Sequence, residues 1–378
     1  MALDYDNIVD ADGHILEPPD LWERYIDPPF RDRTLCVRRG EDGKEFLQMD
    51  GRPARFAKLE LLAGLSAMGA GAEELREVRE IGYPGKPPFG SMDPDERVQL
   101  LDREGLAKAI LYPSMGLSWE CEIEDAELAQ AYARAYNRWI CEFCSGSKGR
   151  LIAIAHISLG DPEAAAKELE RSVRAGAKGA FVAAFTLNRK PHAHRDNDVF
   201  WAKARDLDVP VAIHPMAESP RVRTYQRFDG MRGAQWFQNA LGMQGPQQAF
   251  YGLFQWGLFD RFPELKVIVL ESGAGWIGAA LDRMDATSQT ALGASIPLKE
   301  KPSTYFRRQC WISGDPDETT LPLIIDHVGD DRFFWATDYP HFDHPGNYLE
   351  ELERLVEPLS ARARRNLLGD SVSRVYDL

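Results

Sequence analysis

The sequence lacks the features that mark membrane and secreted proteins. It contains no run of about 18 uninterrupted apolar residues, the minimum for a membrane-spanning helix. It begins Met-Ala-Leu-Asp-Tyr-Asp, without the basic and then apolar segments of a secretory signal. Only five of the 378 residues are cysteine, an odd number that is typical of reduced thiols. We therefore expect a cytoplasmic protein without a membrane partner.

Positive charge is also scarce. The chain has 45 Lys and Arg residues against 59 Asp and Glu residues, which gives a formal net charge of −14. Binding to nucleic acid needs a basic surface, so we expect no nucleic-acid partner.

Short apolar runs alternate with amphipathic stretches along most of the chain, a pattern that predicts parallel strands joined by helices. The predicted strands are Asn7–His14, Ala107–Pro113, Arg150–Ser158, Gly179–Ala184, Val209–Pro215, Lys266–Ser272, Phe306–Ser313 and Phe333–Asp338. Eight strand–helix units favour an α/β fold of the (βα)8 TIM-barrel type over an open doubly wound sheet. We expect residues 1–378 to form one domain. Asp93 and Asp161, each followed by proline, are predicted to cap the starts of two helices.

Two connections are too long for plain loops. Residues 17–106 follow the first predicted strand and residues 216–265 follow the fifth. Connections that follow barrel strands lie at the C-terminal face, where active sites are built, so we expect both insertions to form a lid there. The second insertion carries arginines that suit the anionic tail of a substrate: Arg221, Arg223, Arg227 and Arg232. Its aromatic residues are explained by packing on the barrel or by a homodimer surface.

Polar residues stand at the C-terminal ends of four predicted strands. Asp12 and His14 end the first strand and, being two residues apart, point to the same side. The others are His214 on the fifth strand, Glu271 on the sixth, and Asp338 on the eighth with His341 after it. One such histidine is commonly a core residue and one such aspartate commonly a helix cap. Burying all of them together requires a compensating cation, and Asp/His mixtures are typical ligands of iron, manganese and zinc.

These motifs resemble the amidohydrolase-related superfamily of metal-dependent TIM barrels (amidohydrolase family 2). The resemblance is carried by Asp-x-His on strand one, His on strand five and Thr-Asp-Tyr-Pro-His on strand eight, and it covers residues 8 to about 368. Within the superfamily the match is to the branch of aminocarboxymuconate-semialdehyde decarboxylase and the aromatic-acid decarboxylases. The resemblance implies one metal held by four residues: Asp12, His14, His214 and Asp338.

The sequence departs from this family pattern at two positions. Decarboxylases of the branch use a histidine at the end of strand six, where this chain has Glu271. Binuclear hydrolases bridge their metals with a modified lysine on strand four, and residues 179–185 contain no lysine. We expect Glu271 and His341 to hold a second metal instead, with Glu17 and His156 as additional ligands or supporting groups.

Three longer motifs are similar to a subgroup that contains the diiron monooxygenase of platensimycin/platencin biosynthesis. They are Asp-Ala-Asp-Gly-His-x-x-Glu-Pro-Pro-Asp-Leu-Trp, Glu-Ser-Gly-Ala-Gly-Trp and Asp-Tyr-Pro-His-Phe-Asp. This resemblance implies a non-heme diiron monooxygenase with two Fe ions, molecular oxygen and a reductant. Its substrate would be a bulky terpenoid-type group carried as an acyl-CoA thioester. The basic and aromatic second insertion would suit such a substrate. Glu271 and Asp338 are the expected catalytic residues.

A second reading of the same residues remains open. The chain would then be a hydrolase or a non-oxidative decarboxylase of the amidohydrolase superfamily that uses one Zn or Mn ion. Asp338 or Glu271 would serve as its general base. A non-catalytic binding barrel is the third alternative, and the intact set of ligand types at four strand ends argues against it.

Overall fold

The computed structural model describes residues 3–222, 244–344 and 346–378, together with residues 231, 236 and 240. The strands are Val9–Ile15 (β1), Cys36–Arg39 (β2), Glu45–Met49 (β3), Arg52–Pro53 (β4), Lys108–Pro113 (β5), Leu151–His156 (β6), Gly179–Ala183 (β7), Val211–His214 (β8), Val267–Val269 (β9), Cys310–Gly314 (β10) and Phe333–Trp335 (β11). The longer helices of the described chain are Leu21–Tyr25 (α1), Leu59–Gly64 (α2), Ala72–Ile81 (α3), Pro94–Glu104 (α4), Ala126–Ser145 (α5), Pro162–Arg174 (α6), Asp198–Asp206 (α7), Gln244–Gln255 (α8), Leu258–Arg261 (α9), Ile277–Ser288 (α10), Pro302–Gln309 (α11), Leu321–Val328 (α12), Tyr348–Val356 (α13), Ala361–Arg365 (α14) and Ser371–Tyr376 (α15). Short helical turns cover Pro28–Arg33, Met115–Ser118, Arg195–Asn197, Gly293–Ser295 and Asn366–Asp370.

Eight parallel strands form the barrel, in the order β1-β5-β6-β7-β8-β9-β10-β11. Helices connect them, which confirms the predicted TIM-barrel class. The first and last strands approach each other just beyond the end of β11. There the Asp338 N–H donates to the Asp12 carbonyl at 3.0 Å and the His14 N–H donates to the Tyr339 carbonyl at 2.8 Å. These two bonds bring the polar end of β1 against the polar segment that follows β11.

The barrel strands are buried along their length except at Lys108, which begins β5, as expected for parallel strands covered on both faces. In β6 and β8, for example, every residue is buried. Continuous apolar sequence therefore predicts these strands well. The polar residues at their C-terminal ends are the exceptions that require an explanation.

The seventh predicted strand began too early. Phe306 belongs to helix α11, and the strand starts only at Cys310. The helix begins with Pro302, a residue favoured in the first turn, and it buries Tyr305, Phe306 and Gln309 on one side. Spacings of three and four residues are those of a helix face, which explains the error.

Both predicted helix caps are confirmed. The Asp93 side chain accepts hydrogen bonds from the backbone N–H groups of residues 95 and 96 at 2.9 Å each, at the start of α4. Asp161 accepts the equivalent bonds from residues 163 and 164 at the start of α6, at 3.0 and 3.1 Å. Local sequence therefore determines where these helices begin.

The insertion after β1 forms a small sheet, β2-β3-β4, and helices α1 to α4. Part of it reaches the segment that follows β11. The Met68 N–H donates to the Pro340 carbonyl at 3.1 Å and the Gly69 N–H donates to the His344 carbonyl at 3.3 Å. This part of the insertion therefore lies beside the C-terminal face of the barrel. A role as a lid stays a prediction.

The insertion after β8 is described only in part, and Arg223, Arg227 and Arg232 lie outside the described residues. In its described part, Phe250, Phe254 and Phe259 are buried, which confirms that packing explains these aromatic residues. Trp236 is 75% exposed. The homodimer stays a prediction. Among the described helices, none combines the length and the apolar character needed to cross a bilayer.

Candidate metal centre

The ends of β1 and β8 and the segment after β11 bring four predicted ligands together. His14 Nε2 lies 3.0 Å from Asp338 Oδ1 and 3.6 Å from Asp12 Oδ1. His214 Nε2 lies 3.6 Å from the same Asp12 oxygen. All four side chains belong to residues that are at most 3% exposed. The structure thus places two imidazoles and two carboxylates around one small volume.

The atoms that face this volume are without hydrogen-bond partners. They are Asp12 Oδ1, His14 Nε2, His214 Nε2 and both carboxylate oxygens of Asp338. A buried polar atom without a partner costs about 1–3 kcal/mol, and a buried charge costs more. Five such atoms in one place are therefore destabilising unless a cation binds them. The donor set, of imidazole nitrogen and carboxylate oxygen, fits a divalent transition metal.

The two histidines are oriented for metal binding by their other ring nitrogens. His14 Nδ1 lies 2.7 Å from the Pro113 carbonyl, and His214 Nδ1 lies 2.6 Å from the carbonyl of Pro215. A carbonyl oxygen only accepts, so each Nδ1 must carry the proton. Each Nε2 is thereby directed into the site, where the neutral form of the ring can bind a metal.

Asp10 and Gly13 explain why β1 and the end of β11 fit so closely. The Asp10 carboxylate accepts from the Thr337 N–H at 3.0 Å and from its hydroxyl at 2.7 Å. A Cβ on Gly13 would lie 2.5 Å from Asp10 Oδ2 and 2.8 Å from Arg97 Nη2. A side chain at this position would therefore require the Asp10 carboxylate or the Arg97 guanidinium to move.

Glu271 lies at the edge of the same volume. Its Oε2 is 3.2 Å from His214 Nε2 and has no hydrogen-bond partner, and its side chain is 14% exposed. Glu271 and Asp338 both adopt left-handed backbone conformations, with φ of +46° and +54°. Such conformations are costly for residues with side chains, and they cluster at functional sites because the surrounding structure holds them there.

The pKa values of the Glu271 and Asp338 carboxyl groups are shifted in opposite directions. Burial, together with the neighbouring charges of Asp338, Asp343 and Asp12, raises the pKa of Glu271 well above its usual value. Burial also opposes the ionisation of Asp338, yet His341 and His14 lower its pKa well below the usual range. The site therefore contains one carboxyl group that favours the protonated form and one that favours the ionised form.

His341 lies beside this site with a polar neighbour near each ring nitrogen. Its Nδ1 is 2.9 Å from Asp338 Oδ1 and its Nε2 is 2.8 Å from Ser114 Oγ. It is close enough to group with His14 and Asp338 as a possible ligand set. Its assignment as a ligand stays a prediction.

Glu17, predicted as an additional ligand or a supporting group, is engaged by the backbone of the loop after β5. Its carboxylate accepts hydrogen bonds from three consecutive backbone N–H groups, of Ser114, Met115 and Gly116, at 3.1, 2.8 and 2.8 Å. Both of its oxygens are used in this way. Glu17 thus fastens the loop after β5 to the end of β1, and it does not join the converging ligand atoms.

His156 also stays outside the converging atoms. Its Nε2 lies 2.8 Å from Glu120 Oε2, and its ring packs between Trp119 and Phe181, with centroid distances of 4.7 and 4.5 Å. His156 is the last residue of β6 and is completely buried. Its role as an additional ligand or a supporting group stays a prediction.

Sequence reasoning missed a second group of ligand types next to the first. Asp338, Asp343 and His344 place one ligand atom each within 4.8 Å of one another, and His344 Nε2 is 3.4 Å from Asp338 Oδ2. The density of ligating residues between 338 and 344 was a signal that could have found them. Ser114 carried no such signal.

Arg221 is the one residue of the predicted arginine cluster whose contacts are described. It forms an ion pair with Glu124. It also lines a cavity of about 450 Å³ together with Arg189, Lys190 and Ala184. The Ala184 N–H donates to the His214 carbonyl at 3.1 Å, so one residue that lines the cavity is hydrogen-bonded to the last residue of β8.

Similar proteins include enzymes with decarboxylase names. A gamma-resorcylate decarboxylase of Polaromonas sp. is 30% identical over 272 residues, which cover 68% of this chain and 80% of that protein. An amidohydrolase structure from Mycobacterium avium subsp. paratuberculosis superposes with a TM-score of 0.80 at 21% identity, covering 99% of this chain and 100% of the other. The structure of a 5-carboxyvanillate decarboxylase from Novosphingobium aromaticivorans, with bound manganese and 3-methoxy-4-hydroxy-5-nitrobenzoic acid, superposes with a TM-score of 0.71 at 18% identity, covering 100% and 99%. At these identities the two structures support the fold alone.

The predicted diiron monooxygenase is therefore wrong. The relative with 30% identity is named a decarboxylase, which agrees with the alternative reading and not with an oxidoreductase. Nothing in the comparisons supports an acyl-CoA substrate, molecular oxygen, a reductant or two iron ions. Glu271 in place of a histidine does not exclude a decarboxylase, because a carboxyl group can transfer a proton as an imidazole does.

The amidohydrolase family profile matches residues 107–378, which is most of the chain and includes strands β5 to β11. The predicted resemblance to this superfamily agrees with the eight-stranded barrel and with the ligand types at its C-terminal face. The chain belongs to the amidohydrolase family.

Proposed function

We propose that the protein is a metal-dependent, non-oxidative decarboxylase of a hydroxylated aromatic acid. The names of the relatives support the reaction, and the converging polar atoms at the C-terminal face support the metal. The five unpartnered buried atoms are the observation that carries the proposal, because a site without a cation would leave them all uncompensated.

One divalent ion of the manganese type is held by Asp12, His14, His214 and Asp338 in this proposal. Two Nε2 lone pairs and carboxylate oxygens face the same volume, so these residues fit the group. When bound, the ion supplies positive charge that holds the carboxylate and hydroxyl oxygens of an aromatic acid. The backbone acceptors of His14 and His214 keep both rings in the tautomer that binds.

Glu271 delivers the proton in the proposed reaction. Decarboxylation breaks the bond between the ring carbon and the carboxylate, releases CO2 and leaves an electron pair on the ring carbon. A proton from an acid then forms the new C–H bond, and no oxidant is consumed. Glu271 suits this step because it lies at the edge of the site, with an unpartnered oxygen and a partly exposed side chain. Asp338 remains a ligand and orients the substrate.

Arg221 is proposed to contact an anionic group on the substrate. It lines the cavity that also includes Ala184, the residue hydrogen-bonded to His214, and a carboxylate on the distal side of an aromatic ring could be paired there. Arg223, Arg227 and Arg232 remain proposed for the same role and lie outside the described residues.

An activity assay on the manganese-loaded protein tests the proposed function. Gamma-resorcylate and 5-carboxyvanillate are incubated with the enzyme, and the phenol product and CO2 are measured with and without oxygen. We expect equal rates under both conditions, and no activity for His14→Asn. Oxygen-dependent product formation, or hydrolysis of activated esters without CO2 release, would contradict the proposal.

A further inference from the structure

We propose that Glu318 is a positioning residue, whose carboxylate holds the backbone of residues 271–275 and thereby sets where the Glu271 carboxyl group lies at the edge of the site. Glu318 follows β10 and, among the described residues, does not belong to the groups that could bind a metal. The inference rests on the proposed function for its kinetic consequence, because Glu271 is the proposed proton donor. The contact with the backbone does not depend on that function.

The Glu318 carboxylate accepts hydrogen bonds from two segments of backbone. The Ala274 N–H donates to both carboxylate oxygens, at 2.8 and 3.0 Å, and the Gly275 N–H donates to Oε2 at 2.8 Å. The Asp315 N–H donates to Oε1 at 2.9 Å. All of these contacts are N–H donors, which suits a carboxylate because it only accepts. One side chain thus joins residues 271–275, after β9, to the segment after β10.

Residues 271–275 have a backbone shape that depends on outside support. Glu271 and Gly273 both adopt left-handed conformations, with φ of +46° and +63°. Left-handed residues in a short turn direct successive N–H groups to the same side, which creates a concave site for an anion. The Glu318 carboxylate lies in this concave site. Glu271 is the residue of the two that carries a side chain, so its conformation is the more costly one and depends more on its surroundings.

The contacts of Glu271 itself leave its carboxyl group dependent on the backbone. Its N–H donates to Ser313 Oγ at 3.2 Å, and within the described chain its Oε2 has no hydrogen-bond partner. Helix α10 begins at Ile277, and in the described chain the Trp276 side chain makes no capping bond there. The Glu318 carboxylate is therefore the negative group at the entry to α10, where the helix dipole favours one. Its loss would release the turn that carries Glu271.

Glu318 is itself fixed at the start of the next helix. Its N–H donates to the Asp315 carbonyl at 3.1 Å, and the Leu321 N–H donates to the Glu318 carbonyl at 2.9 Å. Leu321 begins α12 and is completely buried. The backbone of Glu318 is thus anchored to the barrel, and its side chain can hold the neighbouring segment in one place.

The first experiment measures hydrogen exchange of backbone amides and needs no substrate. Manganese-loaded wild type, Glu318→Ala and Glu318→Gln are compared by mass spectrometry at the resolution of single amides. We expect the amides of Ala274 and Gly275 to exchange at least about 10-fold faster in Glu318→Ala, and by a smaller factor in Glu318→Gln, which keeps one acceptor oxygen. Unchanged exchange at both amides in Glu318→Ala would overturn the proposal.

The second experiment measures decarboxylation by the same proteins. We expect Glu318→Ala to lose about 10–100-fold in kcat, with KM within about threefold of the wild type and about one manganese per chain. Glu318→Gln should recover part of the loss. Asp285→Ala is the matched control, because the half-buried Asp285 carboxylate accepts from the Ser303 N–H at 2.9 Å and from its hydroxyl at 2.6 Å at the start of α11. Its kcat should equal that of the wild type.

A double-mutant cycle separates the positioning of Glu271 from a general loss of structure. In the Glu271→Gln background the proposed proton donor is already absent, so adding Glu318→Ala should lower kcat by less than about twofold. A further loss as large as in the wild-type background would show that Glu318 does not act through Glu271, and would overturn the proposal. Full kcat in the single variant Glu318→Ala, or loss of its manganese, would overturn it as well.

The remaining outcomes separate this proposal from the proposed function. A wild-type protein without decarboxylase activity contradicts the proposed function, and the exchange experiment then still decides whether Glu318 holds the turn that carries Glu271. If Glu318→Ala does not fold, Glu318→Gln takes its place in both experiments. Smaller effects in the same direction are expected for that variant, and their absence would overturn the proposal.

Discussion

Asp338 contacts three histidines, which gives this single carboxylate more ionic partners than the other proposed ligands have. Its Oδ1 is 3.0 Å from His14 and 2.9 Å from His341, and its Oδ2 is 3.4 Å from His344. We expect Asp338→Asn to lose bound manganese and at least about 100-fold in decarboxylase activity, since an amide cannot replace an ionised ligand. Metal analysis and product assays measure both effects. Asp317→Asn, an exposed aspartate in the loop after β10, should change neither.

A substitution of Glu271 distinguishes a role in proton transfer from a role as a metal ligand. Its neutral analogue, Glu271→Gln, keeps the shape of the side chain and removes the transferable proton. We expect manganese content near that of the wild type and a kcat reduced by about 10²–10⁴-fold, the usual contribution of a general acid or base. Loss of the metal along with the activity would instead make Glu271 a ligand.

The loop after β5 is held to the end of β1 by one buried carboxylate, that of Glu17. In Glu17→Gln, one of the two oxygens that accept backbone N–H bonds becomes an NH2 group. That group cannot accept a hydrogen bond and faces the backbone N–H donors. We expect the free energy of unfolding to fall by about 1–3 kcal/mol, because buried backbone donors lose their acceptor. Chemical denaturation of the apo protein measures this. Glu23→Gln is the matched control, since Glu23 forms an exposed ion pair with Arg38 whose loss should cost under about 1 kcal/mol.

Helix α4 tests how far local sequence determines an element. Asp93 accepts two backbone N–H bonds at its start, so Asp93→Ala should lower the free energy of unfolding by about 1 kcal/mol. Lys58 stands at the same position before α2 and makes no side-chain bond there. Lys58→Ala should therefore leave the denaturation midpoint nearly unchanged. Equal effects of the two substitutions would show that the Asp93 cap does not stabilise α4.

At the scale of the whole molecule, the proposed ligands join strands that are far apart in sequence. Asp12 and His14 end β1, His214 ends β8, and Asp338 follows β11, so a bound ion connects the two sides where the barrel closes. Manganese at about 100 times its Kd should stabilise the folded state by about 2.7 kcal/mol. Calorimetry with and without manganese measures the increase in Tm. The same titration on Asp338→Asn should show no increase.

The prediction that residues 1–378 form one domain also belongs to this scale. If it holds, the protein unfolds in one cooperative transition in spite of its two long insertions. Calorimetry of the apo protein would detect a separate transition for the first insertion, whose sheet β2-β3-β4 is not hydrogen-bonded to the barrel strands in the described chain. Two resolved transitions would contradict the prediction.

Much of the architecture could be predicted because it depends on local patterns. Continuous apolar runs mark the barrel strands, and Asp-Pro pairs mark the starts of α4 and α6. The seventh strand was misplaced at Phe306 because an apolar residue in a helix face and one in a buried strand look alike over a few residues. The ligand types did not decide the reaction, because the same residues are compatible with a diiron oxygenase and with a single-metal decarboxylase.

The sequence by itself determined which residues end the barrel strands, and the order of those strands requires that their polar ends meet at one face. It did not determine the hydrogen bonds that decide each side chain's role. Ser114 and His341 are 227 residues apart, and their contact exists only because the loop after β5 packs against the segment after β11. Glu17 is a ligand type in the sequence, but the tertiary structure places three N–H groups on it. Ligand types follow from local chemistry, whereas their partners depend on packing between distant segments.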